Sequence, residues 1–174
     1  MNVKKSLVIF AHPYFEYSTV NVELIKIYED SGKFEFKDLY EEYPSFHIPA
    51  FRERKRIRNF DRLIFHFPLI WFGLPPLLKL WIDEVFDTSW FSEEDHPLVK
   101  KDAIIIVTTG GKAENYSKEG LYETTVEDLL KQLTLSLKMF NIEVKDIVVL
   151  HNSSNLEHTE LENISDHIRK KLNT

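Results

Sequence analysis

Three short segments carry residue types that could do chemistry. In the first, His12-Pro13 is followed closely by Ser18, Thr19 and Asn21. A hydroxyl at a helix start accepts hydrogen bonds from free backbone N–H groups, so Ser18 reads as an N-cap. The same helix start offers donors and a favourable dipole to an anion, and His12 could add one more donor. In the second, Phe67-Pro68-Leu69-Ile70-Trp71-Phe72-Gly73 is apolar throughout, where a loop is normally polar. It fits a core plug, a subunit interface, or a flat wall for a planar ring. In the third, Thr108-Thr109-Gly110-Gly111 precedes Tyr116, and the glycine pair permits either a plain turn or close backbone approach to a ligand.

Other chemistries find no support. There is no cysteine, so thiolate and disulfide chemistry and cysteine-type zinc sites are excluded. The seven histidines are scattered, and His151 and His158 are too isolated to suggest a metal, so no metal site is expected. Gly-x-Ser-x-Gly and the glycine signatures of P-loop and Rossmann nucleotide binders are missing. A formal charge of −6 argues against a sequence-independent nucleic-acid binder. The basic run Arg52, Arg54, Lys55, Arg56 and Arg58 reads as a solvated helix face or as a surface for an anionic group. The apolar run at 7–11 is too short for a signal-peptide core and no stretch approaches a membrane span, so a cytoplasmic protein is expected.

The elements that must position these segments follow from hydropathy patterning. The continuous apolar run at 7–11 is the mark of a strand covered on both faces, and further strands are predicted at 34–39, 62–67, 103–107 (the most β-branched) and 144–150. Helices are predicted over 18–30 with Gly32 as the stop, 50–59, a Pro75–Pro76 start running to Phe86, 124–140 and 156–172. Alternation of five strands with helices predicts an α/β protein: a three-layer sandwich around a five-stranded parallel sheet, as one domain over 1–174. In such sheets ligands bind beyond the carboxyl ends of the strands, at the topological switch point. The three segments all lie at strand ends. Together they offer a phosphate end, an aromatic wall and a backbone-lined edge, the shape needed for a flavin mononucleotide.

His12 with Ser18 and Asn21, the run Pro68-Leu69-Ile70-Trp71-Phe72, the helix Leu77-Leu78-Lys79-Leu80-Trp81-Ile82-Asp83, and Thr108-Thr109-Gly110-Gly111 with Tyr116 resemble the NAD(P)H:quinone oxidoreductase family. Asp38-Leu39-Tyr40 with Tyr43-Pro44 matches another family segment, and the likeness runs through nearly the whole chain. Among the relatives of similar length are ancillary flavoproteins of glutathione-gated potassium efflux systems. The resemblance implies a flavodoxin-like fold with strand order 2-1-3-4-5, a bound FMN (FAD being the alternative) and a homodimer with its active sites at the subunit interface. It implies that His12, Ser18, Thr19, Val20 and Asn21 hold the phosphate end, that Pro68, Leu69, Ile70, Trp71 and Phe72 border the ring, and that Thr108, Thr109, Gly110 and Gly111 meet its polar edge. NAD(P)H would be the co-substrate and a quinone or other small aromatic acceptor the partner, with Tyr116 hydrogen-bonding to the flavin rim.

The chain also departs from the family. Some relatives carry a histidine six positions after the tyrosine, whereas this chain has Tyr122, which can donate a hydrogen bond but does not become a cation near neutral pH. A glycine-rich aromatic loop is replaced by Trp90-Phe91-Ser92-Glu93-Glu94-Asp95-His96, whose carboxylates would lie near the nicotinamide's approach if the loop reaches over the flavin. A homodimer is expected because the helix from Pro75 to Phe86, with Trp90 and Phe91, offers more apolar surface than one sheet face needs. The rival reading is a flavin-binding regulatory subunit with little turnover that docks on a membrane transporter, through the basic run or the acidic loop.

Overall fold

The structure, a computed structural model, describes residues 4–29, 32–156 and 158–172. Five strands, β1 (Ser6–Phe10), β2 (Phe34–Asp38), β3 (Arg62–Pro68), β4 (Asp102–Thr108) and β5 (Glu143–Leu150), form one sheet in the order β2-β1-β3-β4-β5. All four pairings are parallel, which is the flavodoxin-like arrangement the resemblance implied. The apolar runs of β1, β3 and β4 are buried because both of their faces are covered. Alternate residues go to opposite layers. Leu7, Ile9, Leu63, Phe65, Ala103 and Ile105 pack in one core, Val8, Ile64, Ile104 and Ile106 in the other.

The helices divide between those two cores. Helices α1 (Thr19–Ile25) and α7 (His158–Leu172) cover the Val8 face. Across the sheet lie α2 (Leu39–Glu42), α3 (Ala50–Ile57), α4 (Pro76–Val85), α5 (Val126–Leu129) and α6 (Lys131–Met139). The chain leaving β1 returns on one face and the chain leaving β3 on the other. The switch point therefore falls between the carboxyl ends of β1 and β3, beside His12 and Pro68.

Several expected boundaries shift. The first helix is α for only seven residues and then tightens into a 3-10 turn at Lys26–Tyr28, while Asp30 lies outside the described residues. Gly32 follows with φ of 60°, a left-handed conformation suited to glycine. The expected long helix over 124–140 breaks at Leu130, whose ψ of 0° separates α5 from α6. Glu157, inside the expected closing helix, is not described.

The basic run is neither a bare solvated face nor an open anion site. Arg56 grips Glu42 with both terminal nitrogens at 2.6 and 3.0 Å and reaches Glu53 at 2.5 Å. Glu53 is buried and also accepts from Trp81 Nε1 at 2.9 Å, which clamps α3 onto α4. Arg54 donates to the carbonyls of Glu84 and Val85 at 2.9 Å, closing the carboxyl end of α4, and pairs with Asp87 at 3.0 Å. Arg52 reaches Glu42 and the Tyr43 hydroxyl, and Arg58 reaches Asp95 at 3.0 Å.

That last bond corrects the expectation for the acidic loop. Arg58 sits just past the end of α3, three residues before Asp61, whose N–H bonds to the Lys5 carbonyl at the amino end of β1. Asp95 is therefore held at the amino ends of the strands, opposite the crevice, and within one chain the loop does not reach over the switch point. The surplus apolar surface of α4 is also accounted for internally. Leu77, Leu78, Trp81, Ile82 and Val85 are buried, and Trp90 is buried between His96, stacked at 5.8 Å, and Phe140 at 6.0 Å. The side chain of Phe91 lies outside the described residues.

Candidate functional site

A cleft of about 250 Å³ opens at the switch point, lined by His12, Tyr14, Tyr17, Ser18, Thr19, Asn21, Pro68, Leu69, Thr108, Gly110, Ser153 and Ser154. None of these carries a carboxylate, so the cleft presents donors and hydroxyls suited to an anion. Ser18 is the N-cap of α1, accepting from Asn21 N–H at 3.3 Å. Because α1 has only seven residues, its dipole adds little, and the side-chain hydroxyls and amide carry the polarity. Asn21 is buried and donates to Ser18 Oγ at 2.8 Å and Thr108 Oγ1 at 3.3 Å, tying the start of α1 to the end of β4. The side chain of Val20 packs in the core with Leu24, so what it can offer the phosphate end is its backbone.

His12 accepts from Tyr14 N–H at Nδ1, at 3.2 Å, which leaves the proton of the neutral ring on Nε2. Burial holds its pKa down to about 4, so the neutral ring is the resting form. Behind the cleft, His66 on β3 is fully buried, and burial, with the nearby His12 adding to it, holds its pKa near 3.

The apolar segment after β3 makes a tight reversal. Ile70 and Gly73 exchange N–H···O bonds of 3.0 Å in both directions, and Trp71 and Phe72 between them have φ of 47° and 64°. That is a type I′ turn, for which Asn-Gly is the comfortable sequence. Two bulky aromatics in left-handed conformations store strain, the kind of outlier that clusters at ligand sites. Trp71 is 92% exposed. The turn presents an aromatic wall next to Pro68 and Leu69, outside the cleft itself.

The loops after β4 and β5 close the far side. Thr109 is buried, with Oγ1 at 3.1 Å from both the Gly111 carbonyl and His151 Nδ1. Asn152 N–H bonds to the Gly111 carbonyl and Ser153 N–H to that of Thr109. Aromatic rings then bridge back: His151 to Tyr116 at 5.3 Å, Tyr116 to Tyr122 at 4.9 Å and Tyr122 to Phe72 at 4.9 Å. Gly111 permits this closeness, since a Cβ there would stand 3.0 Å from the Tyr116 ring. Gly110 faces open space. Burial raises the pKa of Tyr116, which keeps its hydroxyl protonated and able to donate.

The structure thus gathers His12, Ser18, Thr19, Asn21, Pro68, Leu69, Thr108 and Gly110 around one cleft. It sets Ile70, Trp71, Phe72, Thr109, Gly111, Tyr116 and Tyr122 along its rim. Sequence reasoning missed Tyr14, Tyr17, Ser153, Ser154, His66 and the contact of His151. The segment His151-Asn152-Ser153-Ser154 was detectable as a polar loop at a strand's carboxyl end, and His66 as a polar residue inside an apolar strand. Among the described residues no group of three or more His, Asp or Glu could hold a metal.

A doubly wound parallel sheet with an anion-suited, aromatic-walled crevice at its switch point defines the flavodoxin-like class. The chain belongs to that family: the sequence model of the family described as having a flavodoxin-like fold matches residues 4–172. A Bacillus subtilis protein described as the uncharacterized NAD(P)H oxidoreductase YrkL is 26% identical over 165 residues, covering 94% of this chain and 95% of that one. The glutathione-regulated potassium-efflux system ancillary protein KefF of an Enterobacter species is 38% identical over 106 residues, 60% of each chain. The structure of general stress protein 14 from Treponema denticola, in complex with FMN, superposes with a TM-score of 0.88 at 29% identity, covering 97% of both chains. Among the described residues no helix is long and apolar enough to cross a membrane.

Proposed function

We propose that this chain binds FMN and acts as an NAD(P)H:quinone oxidoreductase, reducing a quinone or similar small aromatic acceptor. The observation that carries the reading is the carboxylate-free cleft at the switch point, flanked by a strained turn that holds Trp71 and Phe72 outward. When bound, FMN would supply the redox chemistry, accepting a hydride from NAD(P)H and passing two electrons to the acceptor. His12 Nε2, Ser18 and Thr19 would hold the phosphate, with the buried Asn21 setting the Ser18 hydroxyl from behind. Pro68, Leu69, Ile70, Trp71 and Phe72 would border the ring, Thr109, Gly110 and Gly111 would meet its polar edge, and the Thr108 hydroxyl, tied by Asn21 to the start of α1, would face the phosphate end. The Tyr116 hydroxyl would donate to that edge, and Tyr122, packed between Phe72 and Tyr116, would hold it in place.

FMN is favoured over FAD because α7 begins soon after β5 ends at Leu150, leaving little chain for an adenine-binding extension. The name of the Bacillus subtilis oxidoreductase relative favours NAD(P)H as reductant, and a cytoplasmic location with that pool fits the reading. A homodimer is favoured by exposed Trp71, Phe72 and Leu121 near the rim, in place of the α4 surface, which is buried in the chain's own core. Light scattering should give twice the chain mass at micromolar concentration, and a monomer would refute the dimer.

Purified protein should be yellow, release FMN on denaturation, and reduce menadione with NADH or NADPH. Protein that binds no flavin, or that releases FAD in equal amount to chain, would overturn the cofactor assignment. The KefF relative keeps one alternative in view, a regulatory subunit of a transporter. Bound flavin without nicotinamide-dependent menadione reduction would favour it. Against it, the arginines 52, 54, 56 and 58 are already paired within the chain.

A further inference from the structure

Behind the cleft a string of buried polar groups runs through α1 and β3. Tyr28 Oη lies 2.9 Å from His66 Nδ1, and His66 Nε2 lies 3.0 Å from Asn21 Oδ1. Asn21 Nδ2 lies 2.8 Å from Ser18 Oγ and 3.3 Å from Thr108 Oγ1. Asn21 and His66 are 1% exposed and Tyr28 5%, so every proton in the string needs a partner inside the protein.

That requirement fixes a direction. Among the described residues His66 is the hydrogen-bond partner of the Tyr28 hydroxyl, so Tyr28 donates to Nδ1. The neutral imidazole then carries its proton on Nε2 and donates to Asn21 Oδ1. The amide of Asn21 is thereby turned so that Nδ2 faces Ser18 and Thr108, and both hydroxyl oxygens accept. Ser18 Oγ accepts a second bond from Asn21 N–H at 3.3 Å, which fills its acceptor capacity. The hydroxyl protons of Ser18 and Thr108 are left to point into the cleft that both residues line. Turning the Asn21 amide over would reverse every bond and leave the Tyr28 proton without an acceptor in a dry interior, a cost of about 1–3 kcal/mol.

We propose that His66 is a positioning residue for the anion end of the site. Through Asn21 it sets the Ser18 and Thr108 hydroxyls as donors towards a phosphoryl group. The inference deepens the FMN reading and rests on it. It assigns the phosphate preference of the cleft to two buried residues, Tyr28 and His66, that do not line the cleft. Burial keeps His66 neutral at ordinary pH, as the relay requires, because an imidazolium would protonate Nδ1 and expel the Tyr28 donor.

Two measurements test it. The first uses the wild-type protein and needs no ligand: two-bond nitrogen–proton correlation spectra read which ring nitrogen of His66 carries the proton. Protonated Nε2 is expected, and protonated Nδ1 overturns the relay whatever the cofactor proves to be. The second compares dissociation constants for FMN and for riboflavin, which lacks the phosphate. His66→Leu should weaken FMN by about tenfold while leaving riboflavin within about twofold, because only the phosphate meets the relay. His66→Gln should restore FMN binding, since its amide can donate to Asn21 and accept from Tyr28 as the imidazole does. Equal loss for both flavins would make His66 a merely structural residue and overturn the proposal, as would an unchanged FMN-to-riboflavin ratio. If His66→Leu does not fold, the tautomer and a wild-type-like ratio in His66→Gln carry the decision, and a collapsed ratio in His66→Gln counts against the relay. Wild-type protein that binds riboflavin as tightly as FMN would sink the phosphate reading itself, a result separate from the tautomer.

Discussion

Replacing Trp71 by asparagine should make the protein more stable and less able to hold its flavin. Trp71 sits at the first central position of the type I′ turn with φ of 47°, and 92% of it is exposed. For a residue bearing a Cβ the left-handed region costs roughly 1–2 kcal/mol, while asparagine tolerates it. With almost no buried surface to lose, Trp71→Asn should recover about 1 kcal/mol. In a domain of this size that raises the melting temperature by about 2–4 °C. Thermal and urea unfolding of cofactor-free protein measure the gain, and flavin titration measures the loss of the wall. A destabilisation of about 1 kcal/mol or more would refute the reasoning. It would mean that the indole is packed, and that strain at this turn is not what the fold accepts in exchange for a binding surface.

Ser18→Ala should cost about 1 kcal/mol of stability as a lost N-cap. It should cost FMN binding more, roughly 1.5–3 kcal/mol, and equal FMN affinity in mutant and parent would leave only the capping role. Below pH 6.5 the unfolded chain takes up protons that the buried His66 and His12 refuse until pH falls to about 3 and about 4 respectively. Each therefore removes up to about 1.4 kcal/mol of stability per pH unit as pH falls through that window. Asp38 acts in the opposite sense: burial raises its pKa to about 6, so between pH 6 and 4 the fold holds a proton that the unfolded chain releases. Urea unfolding of cofactor-free protein between pH 6 and 4 should then show a net loss near that of a single histidine. Asp38→Asn should steepen it, whereas a flat profile in both would contradict the burial argument. Gly120→Ala would place a Cβ 2.3 Å from the Glu114 carbonyl oxygen and 2.8 Å from that of Asn115. The loop must open, so a loss of about 1–3 kcal/mol is expected together with reduced turnover, and wild-type unfolding and rates would show that the loop yields freely.

Much of the framework was legible because the buried strands announce themselves. Leu7 to Phe10 and Ile104 to Val107 are apolar at every position, a pattern that only two covered faces explain. His12, Ser18, Asn21, Pro68 and Thr108 could be placed at one crevice because doubly wound sheets bring strand ends together. Helix limits were less legible. Amphipathic spacing reports which face is buried, and does not see a local change of ψ at Leu130 or the tightening after Ile25. The pairing within the basic run and the burial of the α4 surplus were not legible for one reason: their partners are remote in sequence. Arg54 finds the end of α4, Arg58 finds Asp95, and Trp90 finds Phe140. His66 was hidden in the same way, since a histidine inside a strand has no meaning until Tyr28 and Asn21 stand on either side of it.

The ring sequence from Phe72 through Tyr122 and Tyr116 to His151 crosses three separate loops, those following β3, β4 and β5. Each contact spans a gap that a displacement of even a few ångströms would empty, and the glycine at 111 leaves no slack behind them. These three loops are therefore braced together: pulling on one loads the other two. The loop after β1, with Tyr14 and Tyr17 exposed, stands outside the chain of rings, so a molecule too wide for the resting aperture would have to enter by displacing that side.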